Sequence, residues 1–291
     1  ILEALCADCL IEESVNGQWN ISNMGALLFA KKLSEFRHLE RKAVRLILYR
    51  GDNRFNTVRE FTGNKGYAAG FEGLIDYIKA LLPSNEEIGK ALRKEVPLFP
   101  ELSIRELVAN ALIHQDFSIT GSGPMIEVFD ERIEITNPGA PLVDTDRFLD
   151  SPPRSRNEGI ASLMRRVGIC EERGSGIDKV VIQTELYQLP APLFEKIETN
   201  TRVVLFSYRE FKCMDREERI RATYLHCVLR YLNREAMNNT SLRERFAVEA
   251  KNSAMVSRII KQALADNRIV PYDQSAGSRA MRYLPWWASH S

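Results

Sequence analysis

The stretch from Ser103 to Asp116 constrains this chain more than any other. At 3.6 residues per turn, Ile104, Leu107, Val108, Ala111 and Leu112 fall on one apolar stripe, the spacing of a helix packed on a core. Glu106 and Asn110 stand one turn apart on a different face. A carboxylate and a carboxamide so placed can grip a hydrated divalent cation, or orient a water beside it. A second reading stays open. Ser103 followed by Glu106 also has capping-box spacing, in which Glu106 only satisfies backbone donors.

The chain of 291 residues is long enough for two domains or three. Hydrophobic residues make up 44% and charged residues 27%, which excludes disordered and fibrous classes. The longest apolar runs, such as residues 25–30, are too short to span a bilayer, so no membrane partner is expected. With Ile1 first and no signal-peptide pattern, the chain reads as a piece of a longer protein. Five cysteines, an odd number widely scattered, argue against a disulfide framework and for a reducing, cytoplasmic setting. Cys6 and Cys9 have C-x-x-C spacing, but no second pair completes a metal site and core packing is preferred. From Cys213 onward, 13 Lys and Arg face 8 Asp and Glu, a balance of +5; the remainder holds 27 bases and 31 acids, −4. A basic tail on a slightly acidic body suggests that the tail meets a polyanion.

Along the chain, Ala43–Tyr49 reads as a buried strand, and Phe71–Leu82 as a helix stopped by Pro83. The turn at Gly63 and Gly66 lacks the Lys-Ser/Thr pair of a phosphate loop. After the central helix, whose start Pro97 and Pro100 mark, Met125–Asp130 and Arg132–Thr136 alternate as an antiparallel pair. This pair runs into the turn Asn137-Pro138-Gly139. Residues 140–157 read as a long loop, functional or mobile. A helix over Glu158–Val167 follows, and then a glycine turn at Gly174-Ser175-Gly176 opens another over Ile177–Leu186. Backbone amides at such a turn form a natural phosphate cradle, though the spacing alone is weak. Two more strands, Phe194–Thr199 and Arg202–Tyr208, complete an α+β plan of helices on a mixed sheet.

Taken together, these residues resemble a family. Glu106 to Ala111 is similar to the E-x-x-x-N-A helix of the GHKL-type ATP-binding fold of gyrase, the heat-shock chaperone, histidine kinases and the mismatch-repair ATPase. Four elements stand in the order found in RecG-related transcriptional regulators that carry a divergent form of that fold: Arg105 to Asp116, Ile135 to Gly139, Arg156 to Ala161, and Glu172 to Ile177. The resemblance implies a two-layer α/β sandwich that binds ATP and Mg²⁺. In it, Glu106 would be the catalytic base and Asn110 would help hold Mg²⁺. Asn137 and Gly139 would line the adenine pocket. Residues 140–157 would be a lid that brings Arg156 and Asn157 near the phosphates. Gly174, Ser175 and Gly176 would offer amides to them. One departure stands out: the superfamily's adenine-reading Asp is replaced by Asn137, whose carboxamide oxygen can still accept a hydrogen bond. Relatives often carry a Schlafen/AlbA-type domain ahead of this region, which the start at Ile1 would omit.

The tail reads as three helices and a hairpin, a small winged-helix domain. The first helix spans Arg216–Glu235, with Ile220, Tyr224, Val228, Tyr231 and Leu232 inward; Thr240 caps the second. The third has Val256, Ile259, Ile260, Ala263 and Leu264 inward. Its other face shows Ser253, Ser257, Arg258 and Lys261, groups suited to phosphates and base edges; Arg279 and Arg282 lie on the hairpin. The expected division is an N-terminal α/β region (1–95), an ATP-binding domain (96–210) and a winged helix (213–291). The expected function is an ATP-responsive regulator that binds double-stranded DNA, as a homodimer on two half-sites. Two alternatives remain: an ATP-hydrolysing DNA-repair or helicase-associated enzyme with weak Mg²⁺-dependent activity, and a degenerate scaffold that binds only protein partners.

Overall fold

The computed structural model describes residues 1–82, 98–170, 176–273, 277 and 280–288. Helix α1 (Leu2–Ala7), a ribbon of β1 (Ile11–Glu13) and β2 (Trp19–Ile21), and α2 (Asn23–Phe29) open the chain. Next come β3 (Arg45–Tyr49), β4 (Thr57–Thr62), α3 (Tyr67–Leu81) and α4 (Glu101–Ile113). The hairpin of β5 (Met125–Val128) and β6 (Arg132–Pro138) is followed by α5 (Glu158–Arg166) and α6 (Gly176–Leu186). A second hairpin, β7 (Leu193–Ile197) and β8 (Asn200–Phe206), completes the larger part.

Six of these strands form one mixed sheet in the order β4-β3-β5-β6-β8-β7. Its one parallel pair among the described residues is β3 with β5. Strands on both sides of residues 95/96 therefore share the sheet. Side chains alternate between its faces. Leu46, Ile126, Val128, Ile133, Ile135 and Leu205 are buried on one face, in a common core with Phe71 and Ile75 of α3 and Ile104, Leu107, Val108 and Leu112 of α4. The predicted stripe of the central helix is thus the surface laid on the sheet.

The opposite face carries a small apolar cluster of Ile47, Tyr49 and Phe129 beside a buried acidic pair. Glu127 and Glu134 stand directly across from each other in the β5–β6 register, and both are buried. Two like charges so placed need cations. Arg54 supplies one from the β3–β4 connection: its Nε and Nη2 donate to Glu127 at 2.6 and 2.8 Å, and Nη2 also donates to Glu134 at 2.9 Å. Arg132 Nε donates to Glu134 at 2.7 Å.

The remaining chain forms α7 (Arg216–Leu232), α8 (Asn239–Arg245), α9 (Ser253–Ala265) and a ribbon of β9 (Ile269–Pro271) with β10 (Tyr283–Pro285). Tyr224, Val228, Leu242, Val256, Ile259, Ile260 and Ala263 form its core, which also takes in Leu149, Val181 and Ala191 from the larger part. An isolated bridge joins Met237 to Tyr283.

Several local expectations change. Helix α4 begins at Glu101 with Pro100 as its N-cap, so Ser103 lies inside the helix and the capping-box reading of Glu106 fails. The phenylalanine helix starts one turn early, at Tyr67, whose hydroxyl donates to the Lys42 carbonyl at 2.7 Å. Helix α7 ends at Leu232, which is exposed rather than inward, and Asn238 rather than Thr240 caps α8 through Ser241. Cys9 is exposed, against the expected core packing. Pro83 and Pro97 lie outside the described residues. Among the described residues no helix is long and apolar enough to cross a membrane.

The buried acidic pair makes a direct prediction. Arg54→Ala strips Glu127 of its bidentate partner and should lower the unfolding free energy in urea by about 2 kcal/mol. Adding Glu127→Gln to that variant should return part of the loss. An unchanged midpoint for Arg54→Ala would contradict the assignment.

Candidate functional site

A cavity of about 620 Å³ lies between the helix-covered face of the sheet, α4, α5, the start of α6 and the loop 140–156. Its volume falls in the range of small-molecule sites. Period-two alternation puts Ile135 and Asn137 of β6, and Thr201 and Val203 of β8, on its floor. Helical periodicity sets Glu106 and Asn110 of α4 on one wall and Glu158, Ala161, Ser162 and Arg165 of α5 on another. The loop contributes Leu142, Val143, Phe148 and Arg156.

The polar end is fixed by close approach. Gly176, in the first turn of α6, faces α4 so tightly that a Cβ there would lie 2.7 Å from Glu106 Oε2 and 3.5 Å from Asn110 Nδ2. Glu106 is buried, and Lys179 Nζ, almost one turn along α6, lies 3.7 Å from its Oε1. Among the described residues the Asn110 side chain has no hydrogen-bond partner. The expected meeting of the Glu106/Asn110 face with the glycine turn is therefore made through Gly176. Gly174 and Ser175 lie outside the described residues.

At the other end, Asn137 is buried, and its Nδ2 donates to the carbonyls of Pro138 at 3.1 Å and His114 at 3.5 Å. Two carbonyl neighbours settle which way the amide points and leave Oδ1 as its acceptor. Gly139 itself does not line the cavity. It adopts φ +116°, and a Cβ would sit 3.0 Å from the Asp116 amide, so its role is to let β6 pass under the end of α4. Arg156 lines the cavity, with Nη2 donating to the Ala140 carbonyl at 2.7 Å and Nη1 3.4 Å from Asp116 Oδ2. Asn157 is turned away: its Nδ2 donates to the carbonyls of Ile113 and Gln115 at 2.7 and 2.8 Å, pinning the loop to the end of α4.

Motif spacing alone did not single out the other cavity residues. His114 lines the wall, and burial, with Arg156 alongside, holds its imidazole below its ordinary pKa. Cys170 also lines it, and burial raises its thiol pKa above the ordinary value. The α5 face could have been read from sequence, since Glu158, Ala161, Ser162 and Arg165 follow the i, i+3, i+4, i+7 rule.

The predicted DNA-facing residues lie far along the chain, on the C-terminal module. Ser253, Ser257, Arg258 and Lys261 are exposed on one face of α9, where Asn239 Nδ2 donates to Ser257 Oγ at 3.0 Å. Arg282 is exposed beside β10; Arg279 lies outside the described residues.

Because the folded pKa of His114 lies below the ordinary histidine value of about 6.5, the unfolded chain takes up that proton first as the medium is acidified. The stability it contributes is full above about 6.5 and is lost as pH falls through the lower folded value. Urea midpoints measured from pH 7.5 downwards should therefore fall less steeply below about 6.5 for His114→Gln than for the parent chain. Parallel curves would contradict it.

Comparisons with known proteins fit this geometry. Residues 121–205 match the family model described as "Putative ATP-dependent DNA helicase recG C-terminal". The match covers β5 to most of β8, including the loop, α5 and α6, and begins after α4. No curated protein matches the chain. Among solved structures, the DIP2311 protein from Corynebacterium diphtheriae is similar in fold, with a TM-score of 0.55 and 14% identity over 97% of this chain and 64% of that one. This chain thus spans less than two thirds of that protein's length. The family match supports a RecG-related, ATPase-like domain in this chain and suggests that it binds nucleotide.

Proposed function

We propose that the chain is an ATP-responsive, DNA-binding regulator, in which Mg²⁺-ATP in the cavity biases the placement of the C-terminal module. The residues present fit the nucleotide. Gly176 leaves room beside Glu106 that any side chain would fill, and the Asn110 carboxamide next to it lacks a partner among the described residues. Asn137 Oδ1 offers an acceptor at the apolar end, suited to an adenine amino group. Asn110 and Glu106 would hold the metal. Among the described residues no cluster of three or more His, Cys, Asp or Glu could hold one, so phosphates and waters would complete its shell. When bound, Mg²⁺ would neutralise phosphate charge and fix phosphate geometry.

The observation that carries the regulatory reading is that one loop belongs to two places. Phe148 lines the cavity, while the next residue, Leu149, is buried in the core of the C-terminal module. Two residues earlier, Asp146 is gripped by Arg268, Nη1 to Oδ2 and Nη2 to Oδ1, both at 2.7 Å. The Tyr224 hydroxyl donates to the Asp146 carbonyl at 2.6 Å and accepts from Trp287 Nε1 at 3.1 Å, and the Arg147 guanidinium lies 4.3 Å from the Trp287 ring centre. Burial pushes the Tyr224 phenol up to about 12, so it stays a donor. A nucleotide that moves the loop would move this clasp with it.

We read the module as a winged helix: three helices, a ribbon, and the Met237–Tyr283 bridge as a third short strand. Its +5 balance and the exposed Arg258 and Lys261 on α9 favour duplex DNA, with a homodimer on two half-sites in the cytoplasm. A second reading, slow Mg²⁺-dependent ATP hydrolysis, is favoured by the buried Glu106 carboxylate, beside which Lys179 stabilises the ionised form a base requires.

A fluorescent ATP analogue with Mg²⁺ should bind saturably, and its presence should change duplex-DNA affinity by at least about fivefold. Arg268→Ala should retain both ligands and lose the change. Arg258→Ala with Lys261→Ala should weaken DNA binding on every sequence and flatten its salt dependence by about two. No saturable binding at millimolar nucleotide would refute the proposal.

A further inference from the structure

We infer that Arg165 recognises the terminal phosphate of the nucleotide, so that the cavity selects a triphosphate over a diphosphate. The inference rests on the nucleotide reading of the cavity and adds a residue and a ligand preference to it.

Arg165 and Arg166 are neighbours in the last turn of α5, about 100° apart around its axis. Arg166 faces outward and pairs with Asp8 Oδ1 at 2.5 Å. Arg165 lines the cavity, half-buried, and among the described residues it pairs with no carboxylate. A cation in a last helical turn is favoured by the helix dipole, and Arg166 meets that need without entering the cavity. The dipole does not explain a second arginine directed inward with no anion.

The other cations nearby are engaged or exposed. Arg156 is held by Asp116 and the Ala140 carbonyl. Lys179 stands against Glu106. Arg154 also lines the cavity but is exposed on the loop. Arg165 is placed at the Glu106 end: Asn157, the N-cap of α5, is pinned at the end of α4 where Asn137 also meets it, and Arg165 lies about two turns further along α5. In the orientation that puts adenine at Asn137, this is the end a γ-phosphate reaches. A planar guanidinium takes two phosphate oxygens at once, which suits it to a terminal group carrying three.

The test is calorimetric titration of the whole chain with Mg²⁺ and either the β,γ-imido analogue of ATP or ADP. The parent chain should bind the triphosphate at least about tenfold more tightly than ADP. Arg165→Ala should weaken the triphosphate by about ten- to a hundredfold and leave ADP within about twofold. Arg165→Lys, which keeps the charge without the fork, should recover part of the loss. Thermal midpoints of both variants check that they are folded. Binding of both ligands by the parent chain with no change in Arg165→Ala, or with equal loss of both, would overturn the inference and leave the nucleotide reading standing. If the parent chain binds neither ligand, both readings fall together.

Discussion

The site depends on one close approach, that of α6 to α4 at Gly176. A methyl group there would meet the Glu106 carboxylate at 2.7 Å, so glycine lets the first turn of α6 lie beside the Glu106/Asn110 face without displacing that carboxylate. That contact brings three chemically different groups to one point: a buried carboxylate, a carboxamide without a partner among the described residues, and backbone at the start of a helix. It also brings in Lys179 from the same α6 turn. The apolar stripe of α4 holds the arrangement, because Ile104, Leu107, Val108 and Leu112 are all buried in the core beneath the sheet face. Burial of four such side chains anchors the helix far more strongly than its few polar contacts.

A second constraint follows from the loop between β6 and α5. Long loops inside compact domains are uncommon, and this one is pinned at its C-terminal end and in its middle. Arg156 and Asn157 tie it to the end of α4 through Asp116, Ile113 and Gln115. Asp146 and Leu149 tie its middle to the C-terminal module. The wall of the cavity and part of the module's core are thus the same few residues. Packed cores shift between discrete arrangements rather than deforming continuously, so such a shared segment is a physical route between two sites.

Much of this was legible in the residues. Apolar periodicity located α4, and period-two alternation located β5 and β6, but β6 runs on through Asn137 and Pro138, which the residues alone read as a turn. The i, i+4 spacing of Glu106 and Asn110 put the two groups together. The capping-box spacing misled, because Ser103 lies two residues inside a helix that Pro100 starts, and local spacing cannot show where a helix begins. Asn157 sits close to its expected neighbours yet spends its amide on the carbonyls ending α4, a choice set by tertiary geometry. The Arg268–Asp146 clasp joins residues far apart in the chain and left no local signal. Likewise, Arg54 reads as an ordinary loop cation until the register sets Glu127 against Glu134.

The claim that the cavity and the C-terminal module share one responsive segment is tested most directly by amide hydrogen exchange, with and without Mg²⁺ and a non-hydrolysable ATP analogue. A shared segment requires added protection in residues 141–157 and, in the same experiment, altered exchange in α7 around Tyr224 and in the segment carrying Arg268. Protection confined to α4 and the loop, with α7 and residues 266–271 unchanged at saturating nucleotide, would contradict it.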